Sequence, residues 1–108
     1  MSRLYGSPGI FGGTVYTDES GQYVGESMPG ILGYGSRDFY DANGKHIGYA
    51  EPSLFGARDI FSDTGDMVGY TCLSVIGGEV VYSNDGDSGW AMDGPLGPIV
   101  DIPDLFEY

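Results

Sequence analysis

At 108 residues the chain is long enough for one domain with one modest core. Gly supplies 20 of those residues, against an ordinary share of roughly 7%, and the 14% aromatic content argues against disorder. The chain should therefore be folded and rich in turns. Sixteen Asp+Glu against four Lys+Arg give a net charge of −12, which repels phosphate, so neither nucleic acid nor an anionic membrane is an expected partner.

The N-terminal stretch, residues 1–13, holds the first copy of a recurring block: Tyr5-Gly-Ser-Pro-Gly-Ile-Phe-Gly12. Then comes a short β-prone segment, Thr14-Val15-Tyr16, the turn Asp18-Glu-Ser-Gly21, a second strand through Val24 and the next block, Glu26-Ser-Met-Pro-Gly-Ile-Leu-Gly33. The pattern repeats as Asp38-Phe39-Tyr40, Ala42-Asn-Gly44 and Tyr49-Ala-Glu-Pro-Ser-Leu-Phe-Gly56. A third copy runs Asp59-Ile60-Phe61, Asp63-Thr-Gly65 and Tyr70-Thr-Cys-Leu-Ser-Val-Ile-Gly77. A fourth runs Val80-Val81-Tyr82, Asn84-Asp-Gly86 and Trp90-Ala-Met-Asp-Gly-Pro-Leu-Gly97. The turn glycines Gly21, Gly44, Gly65 and Gly86 are 23, 21 and 21 residues apart, the signature of a repeat array.

Each unit reads as strand, turn, strand and link, because Asn-Gly and Asp-Gly are the strongest short hairpin signals. In the second strands Val24, Ile47 and Val68 share a face with Glu26, Tyr49 and Tyr70, while Gly25, Gly48 and Gly69 take the other face, leaving room for rings. No window has helical periodicity. The expected fold is all-β: one domain, 1–108, with repeats over 14–97 stacked into an elongated twisted sheet. A β-solenoid is the alternative. Residues 98–108 depart from the repeat and carry six apolar side chains, which suits a cap in cis or across a homodimer.

Asn43-Gly-Lys-His-Ile-Gly-Tyr49 resembles part of the MORN repeat, a hairpin unit of similar length with glycines four apart, and residues 14–91 carry that pattern. The resemblance implies a scaffold built of hairpins.

Gly86-Asp87-Ser88-Gly89 has the look of a serine-protease nucleophile. A nucleophilic serine needs a base within hydrogen-bond reach, and the one histidine, His46, holds the same repeat position two units away. Ser88 therefore reads as a turn residue, and the chain as a non-enzyme. The acidic turns offer oxygens but no cation-loop spacing, so calcium is left open, with Asp and Asn there for turn geometry. Phosphate-loop glycines are absent, and His46 with Cys72 does not make a metal site. No cofactor is expected. Cys72 reads as a small buried group, and Arg37-Asp38 and Arg58-Asp59 as an exposed charge ladder marking register. The aromatics form two ladders, Tyr16, Tyr40, Phe61 and Tyr82 in one, and Tyr5, Tyr49, Tyr70 and Trp90 in the other. The second, if exposed, is a candidate binding stripe. One cysteine, no apolar leader and no apolar run near about 20 residues point to a cytoplasmic protein. The expected role is an interaction or scaffolding module, with a protein partner or a second copy as ligand. A carbohydrate or extended peptide on the aromatic stripe is the alternative.

Overall fold

A computed structural model describes residues 3–9, 12–30, 36–54, 57–92 and 99–106. The tips of four recurring blocks (10–11, 31–35, 55–56 and 93–98) and the terminal residues 1–2 and 107–108 lie outside the described residues. Ten antiparallel strands follow in chain order: β1 Arg3–Pro8, β2 Thr14–Thr17, β3 Tyr23–Pro29, β4 Arg37–Asp41, β5 His46–Pro52, β6 Arg58–Ser62, β7 Met67–Leu73, β8 Glu79–Ser83, β9 Ser88–Met92 and β10 Ile99–Pro103. No α-helix occurs among the described residues.

Each strand pairs with its neighbours in sequence, and β1 pairs with β10, so the sheet is a closed up-and-down barrel. The expected elongated sheet, and the solenoid alternative, are both replaced by this closure. The principal extents, 33 × 31 × 28 Å, are nearly equal. The cause lies in twist and edges. Register shifts interrupt β2–β3, β4–β5 and β6–β7 at the residues just after Tyr16, Phe39 and Ile60, and such irregularities sharpen strand coiling. A coiled ten-strand sheet brings its two edges together, and closure removes both. The seam pairs Arg3 with Pro103, Leu4 with Ile102, Tyr5 with Asp101 and Gly6 with Val100. On the seam, Arg3 Nε donates to Asp101 Oδ1 at 2.7 Å, and its Nη2 donates to the Ser88 carbonyl at 3.2 Å, tying β1, β10 and β9 together.

The turns at one end of the barrel are near copies. The amide of Gly21 donates to the Asp18 carbonyl and that of Asp18 to the Gln22 carbonyl. The same pair of bonds recurs at Gly44, Gly65 and Gly86, all with φ between 81° and 91°. This is the three-residue hairpin loop that needs a left-handed residue in last place, and glycine takes it without a Cβ clash.

Alternation sets the core. Leu4, Tyr16, Phe39, Ala50, Ile60, Val81, Val100 and Ile102 point inward and are buried. Gly25, Gly48, Gly69 and Gly89 also line the interior, opposite Tyr16, Phe39, Ile60 and Val81 respectively. Beyond β10 the chain turns into the barrel, and Leu105 and Phe106 are buried at the turn end. The Phe106 ring lies 5.2 Å from that of Phe39, and Tyr16 lies 6.5 Å from Phe39 on the other side.

One expected ladder is corrected by this register. Tyr16 faces the core, but Tyr40, Phe61 and Tyr82 face out. Tyr16 stands five residues before its turn glycine and they stand four before theirs. The equivalents of Tyr16 are Phe39, Ile60 and Val81.

Candidate functional site

Up-and-down topology sorts the connections. The Gly turns and the Leu105–Phe106 plug occupy one end of the barrel, and the five links occupy the other. The interior is closed at the turn end and polar at the link end. Thr14, Arg37, Arg58 and Glu79 open β2, β4, β6 and β8 at the link end, two residues before Tyr16, Phe39, Ile60 and Val81. Period-two alternation therefore puts them on the same inner face. Ser27, Ala50 and Thr71 hold the matching inner positions on β3, β5 and β7.

These residues make a connected polar layer. An Arg58 Nη2 lies 3.2 Å from Glu79 Oε1, with side chains only 20% and 10% exposed. Thr71 Oγ1 donates to the other Glu79 oxygen and accepts from the Arg58 amide at 2.9 Å. Arg37 Nη1 donates to Ser27 Oγ at 3.1 Å, and the Tyr16 hydroxyl lies 3.3 Å from the same oxygen. Below the layer a cavity of about 50 Å³ is lined by both arginines, Thr14, Thr71 and Glu79 and floored by Phe39, Ile60, Val81, Val100 and Ile102.

The exposed charge ladder is thus corrected. Arg37 and Arg58 line the cavity, and Asp38 and Asp59 take the opposite face of their strands. Asp38 instead pairs with His46, Nε2 to Oδ1 3.0 Å, on the outer wall. The signal was in the sequence, since each arginine stands two residues before a core residue.

The four residues of the expected stripe all sit on the outer wall. Tyr5, Trp90, Tyr70 and Tyr49 fall on β1, β9, β7 and β5, every second strand around the barrel. They form a band wrapped over seven of the ten strands, so no flat ligand touches all four. Tyr5 and Trp90 flank Asp101 in one cross-strand row. Tyr49 stacks on Phe61 at 5.2 Å and Tyr70 on Tyr82 at 5.1 Å. Trp90 Nε1 donates to the Gly77 carbonyl at 3.0 Å. Tyr5 and Tyr70 are each 41% exposed.

Ser88 opens β9 on the exposed surface, and His46 opens β5, four strands away around the wall. Cys72, expected to be buried, is exposed on the outer face of β7. Among the described residues no three of His, Cys, Asp and Glu are gathered as a metal site. The turn carboxylates bind their own backbone. Asp18 Oδ1 accepts from the amides of Ser20 and Gln22, and Asp41 Oδ1 from those of Asn43 and Lys45.

The Ser20 hydroxyl, first, and then the Gln22 amide hold the Asp18 carboxyl below its ordinary value. A lowered folded value means that the carboxylate stabilises the fold above the ordinary carboxylate range, and that this is lost as pH falls through the folded value. Asp18→Ala should therefore lower Tm at neutral pH, with the gap to wild type narrowing in acid. Thermal melts of both proteins across pH check this, and a gap that stays constant contradicts it.

A last group is apolar and lies outside the barrel. At the end of β7 Leu73 is 59% exposed, and in the described parts of the links Leu54, Val75 and Ile76 are 77%, 104% and 80% exposed. All four belong to the link end, around the polar layer. Among known proteins, no family model, no curated protein and no solved structure matches this chain.

Proposed function

We propose that the chain is a non-enzymatic interaction module that docks on a protein partner through the link end of its barrel. The observation that carries this reading is the exposure of Leu54, Leu73, Val75 and Ile76 at one pole. Isolated apolar side chains on a surface mean little, but several gathered at one end mark a contact surface. The topology supports the reading, because every second connection returns to this pole. In sequence, four of the five blocks carry an apolar pair, Ile-Phe, Ile-Leu, Leu-Phe and Val-Ile.

The charge pattern favours a protein over lipid as partner. Glu26, Asp38, Glu51, Asp59 and Asp101 all fall on the outer face of their strands, where a lipid-facing wall needs an apolar band. No helix among the described residues is long and apolar enough to cross a membrane. With a net charge of −12, the expected partner carries an apolar patch within a basic surround.

The test uses Val75→Asp combined with Ile76→Asp. Both side chains are solvated, so stability should stay within about 1 kcal/mol of wild type. Capture of partners from native lysate should be lost. Capture of the same proteins by the variant overturns the docking surface. Light scattering of the wild type separates a foreign partner from a second copy. A glycan reading is favoured by one observation, the exposed rings of Tyr5 and Tyr70. The curvature of the wall limits it to one or two sugar units per ring pair, and a glycan array tests it.

A further inference from the structure

We infer that the barrel interior is a binding site for a short-chain monocarboxylate, held head-up at the link end by Arg37 and Arg58. This rests on the lumen alone and is independent of the docking surface outside it.

The first observation is where the cations are. The chain has four Lys+Arg and 16 Asp+Glu, yet two of the four, Arg37 and Arg58, line the one interior cavity described above. A guanidinium is costly to remove from water unless acceptors receive its donors. Its planar fork matches the two oxygens of a carboxylate.

The second is the wall between them. Arg37 and Arg58 open β4 and β6, and β5 separates those strands. The inner residue of β5 at this level is Ala50, cross-strand from Arg37 and from Ile60. A methyl group leaves space between the two long side chains. Thr14 and Thr71 also belong to the lining.

The third is the gradient from polar to apolar. Below the guanidiniums the lining is Phe39, Ile60, Val81, Val100 and Ile102. An acid bound with its carboxylate at the arginines places its alkyl end on these side chains. Size sets chain length. A water needs roughly 10–15 Å³ by this measure, so about 50 Å³ takes only a few non-hydrogen atoms, the size of acetate or propionate.

The fourth is Glu79. Its carboxylate pairs with Arg58 and accepts from Thr71, which fixes the Arg58 fork in place. It also puts one negative charge at the rim, so a dianion such as phosphate is repelled where a single charge is tolerated. Arg58 and Glu79 retain 20% and 10% side-chain exposure, so the layer is in contact with solvent and an acid can exchange.

The experiment is methyl NMR of the full chain titrated with sodium propionate at constant ionic strength, with propionamide, sodium phosphate and sodium chloride as the other arms. Propionate should shift the methyl resonances of Ile60, Val81 and Val100 saturably, and the amide, phosphate and chloride should not. Arg37→Met should weaken propionate binding roughly tenfold or more, the loss of a charged hydrogen-bonded contact. Arg3→Met, on the outer seam, should leave it unchanged. Equal shifts with propionamide, an unchanged affinity in Arg37→Met, or no saturable shift in wild type would overturn the site. Should Arg37→Met not fold, nuclear Overhauser contacts between the propionate methyl and Ile60 or Val81 in the wild type decide the matter, and their absence at saturation refutes it.

Discussion

Truncation after Gly97 should leave a chain that no longer melts cooperatively as a monomer. The deletion removes β10, with its four cross-strand pairs to β1 and three to β9. It opens the barrel along the seam and exposes two unpaired edges, the situation that invites strand addition between chains. It also removes the buried side chains Val100, Ile102, Leu105 and Phe106. Phe106 packs on Phe39 and sits over Gly48. Loss of one buried Phe costs about 3–5 kcal/mol and of one buried Leu about 2–5. A domain of this size is stable by about 5–15 kcal/mol in all, so the two plug residues alone approach that margin. Circular dichroism melts with light scattering on both chains check the result. The same Tm and the same monomeric mass after truncation would mean that the wall does not depend on its tenth strand.

Gly48→Val should be strongly destabilising. A Cβ at Gly48 would overlap the backbone carbonyl oxygen of Phe61 and the ring of Phe106. A ring can move by a rotamer change, but the carbonyl belongs to the β5–β6 ladder and moves only if the strand moves. The expected cost is about 3 kcal/mol or more, the upper end for overpacking. Gly65→Ala is the reference. A Cβ there meets nothing within 4 Å, and only the left-handed backbone, φ 91°, is strained, at about 1–2 kcal/mol. Urea unfolding followed by Trp90 fluorescence measures both. A Gly48→Val cost no larger than that of Gly65→Ala would show that strands approach less closely at the turn end than described. Phe106→Ala in the Gly48→Val background should recover only part of the loss, since the carbonyl overlap remains.

Local chemistry was legible where the cause was local. Asn-Gly and Asp-Gly clusters place the hairpin turns because the backbone there needs a left-handed residue, and the 21–23-residue spacing carries that requirement along the chain. Alternation placed Gly48 and its copies on the face opposite Tyr49 and Tyr70. Alternation counted two residues back from Phe39 and Ile60 would have put Arg37 and Arg58 inside. It was missed because an Arg-Asp pair reads as surface when the sheet is imagined flat and open. Tyr16 was assigned to the wrong ladder by one residue, and a one-residue slip exchanges the two faces of a strand.

By itself, then, the amino-acid order determined an all-β chain of antiparallel hairpins, with the turn glycines in place. Closure was decided only by the tertiary structure. Whether a sheet of hairpins stays open depends on the twist summed over ten strands and on whether Arg3–Pro8 and Ile99–Pro103 meet in register, quantities held by no single repeat. From closure follow the plug of Leu105 and Phe106, the gathering of Arg37, Arg58 and Glu79 about one cavity, and the wrapping of Tyr5, Trp90, Tyr70 and Tyr49 around a curved wall. Each depends on residues far apart in the chain being brought to one end or one face of the barrel, and local propensity carries no information about such distances.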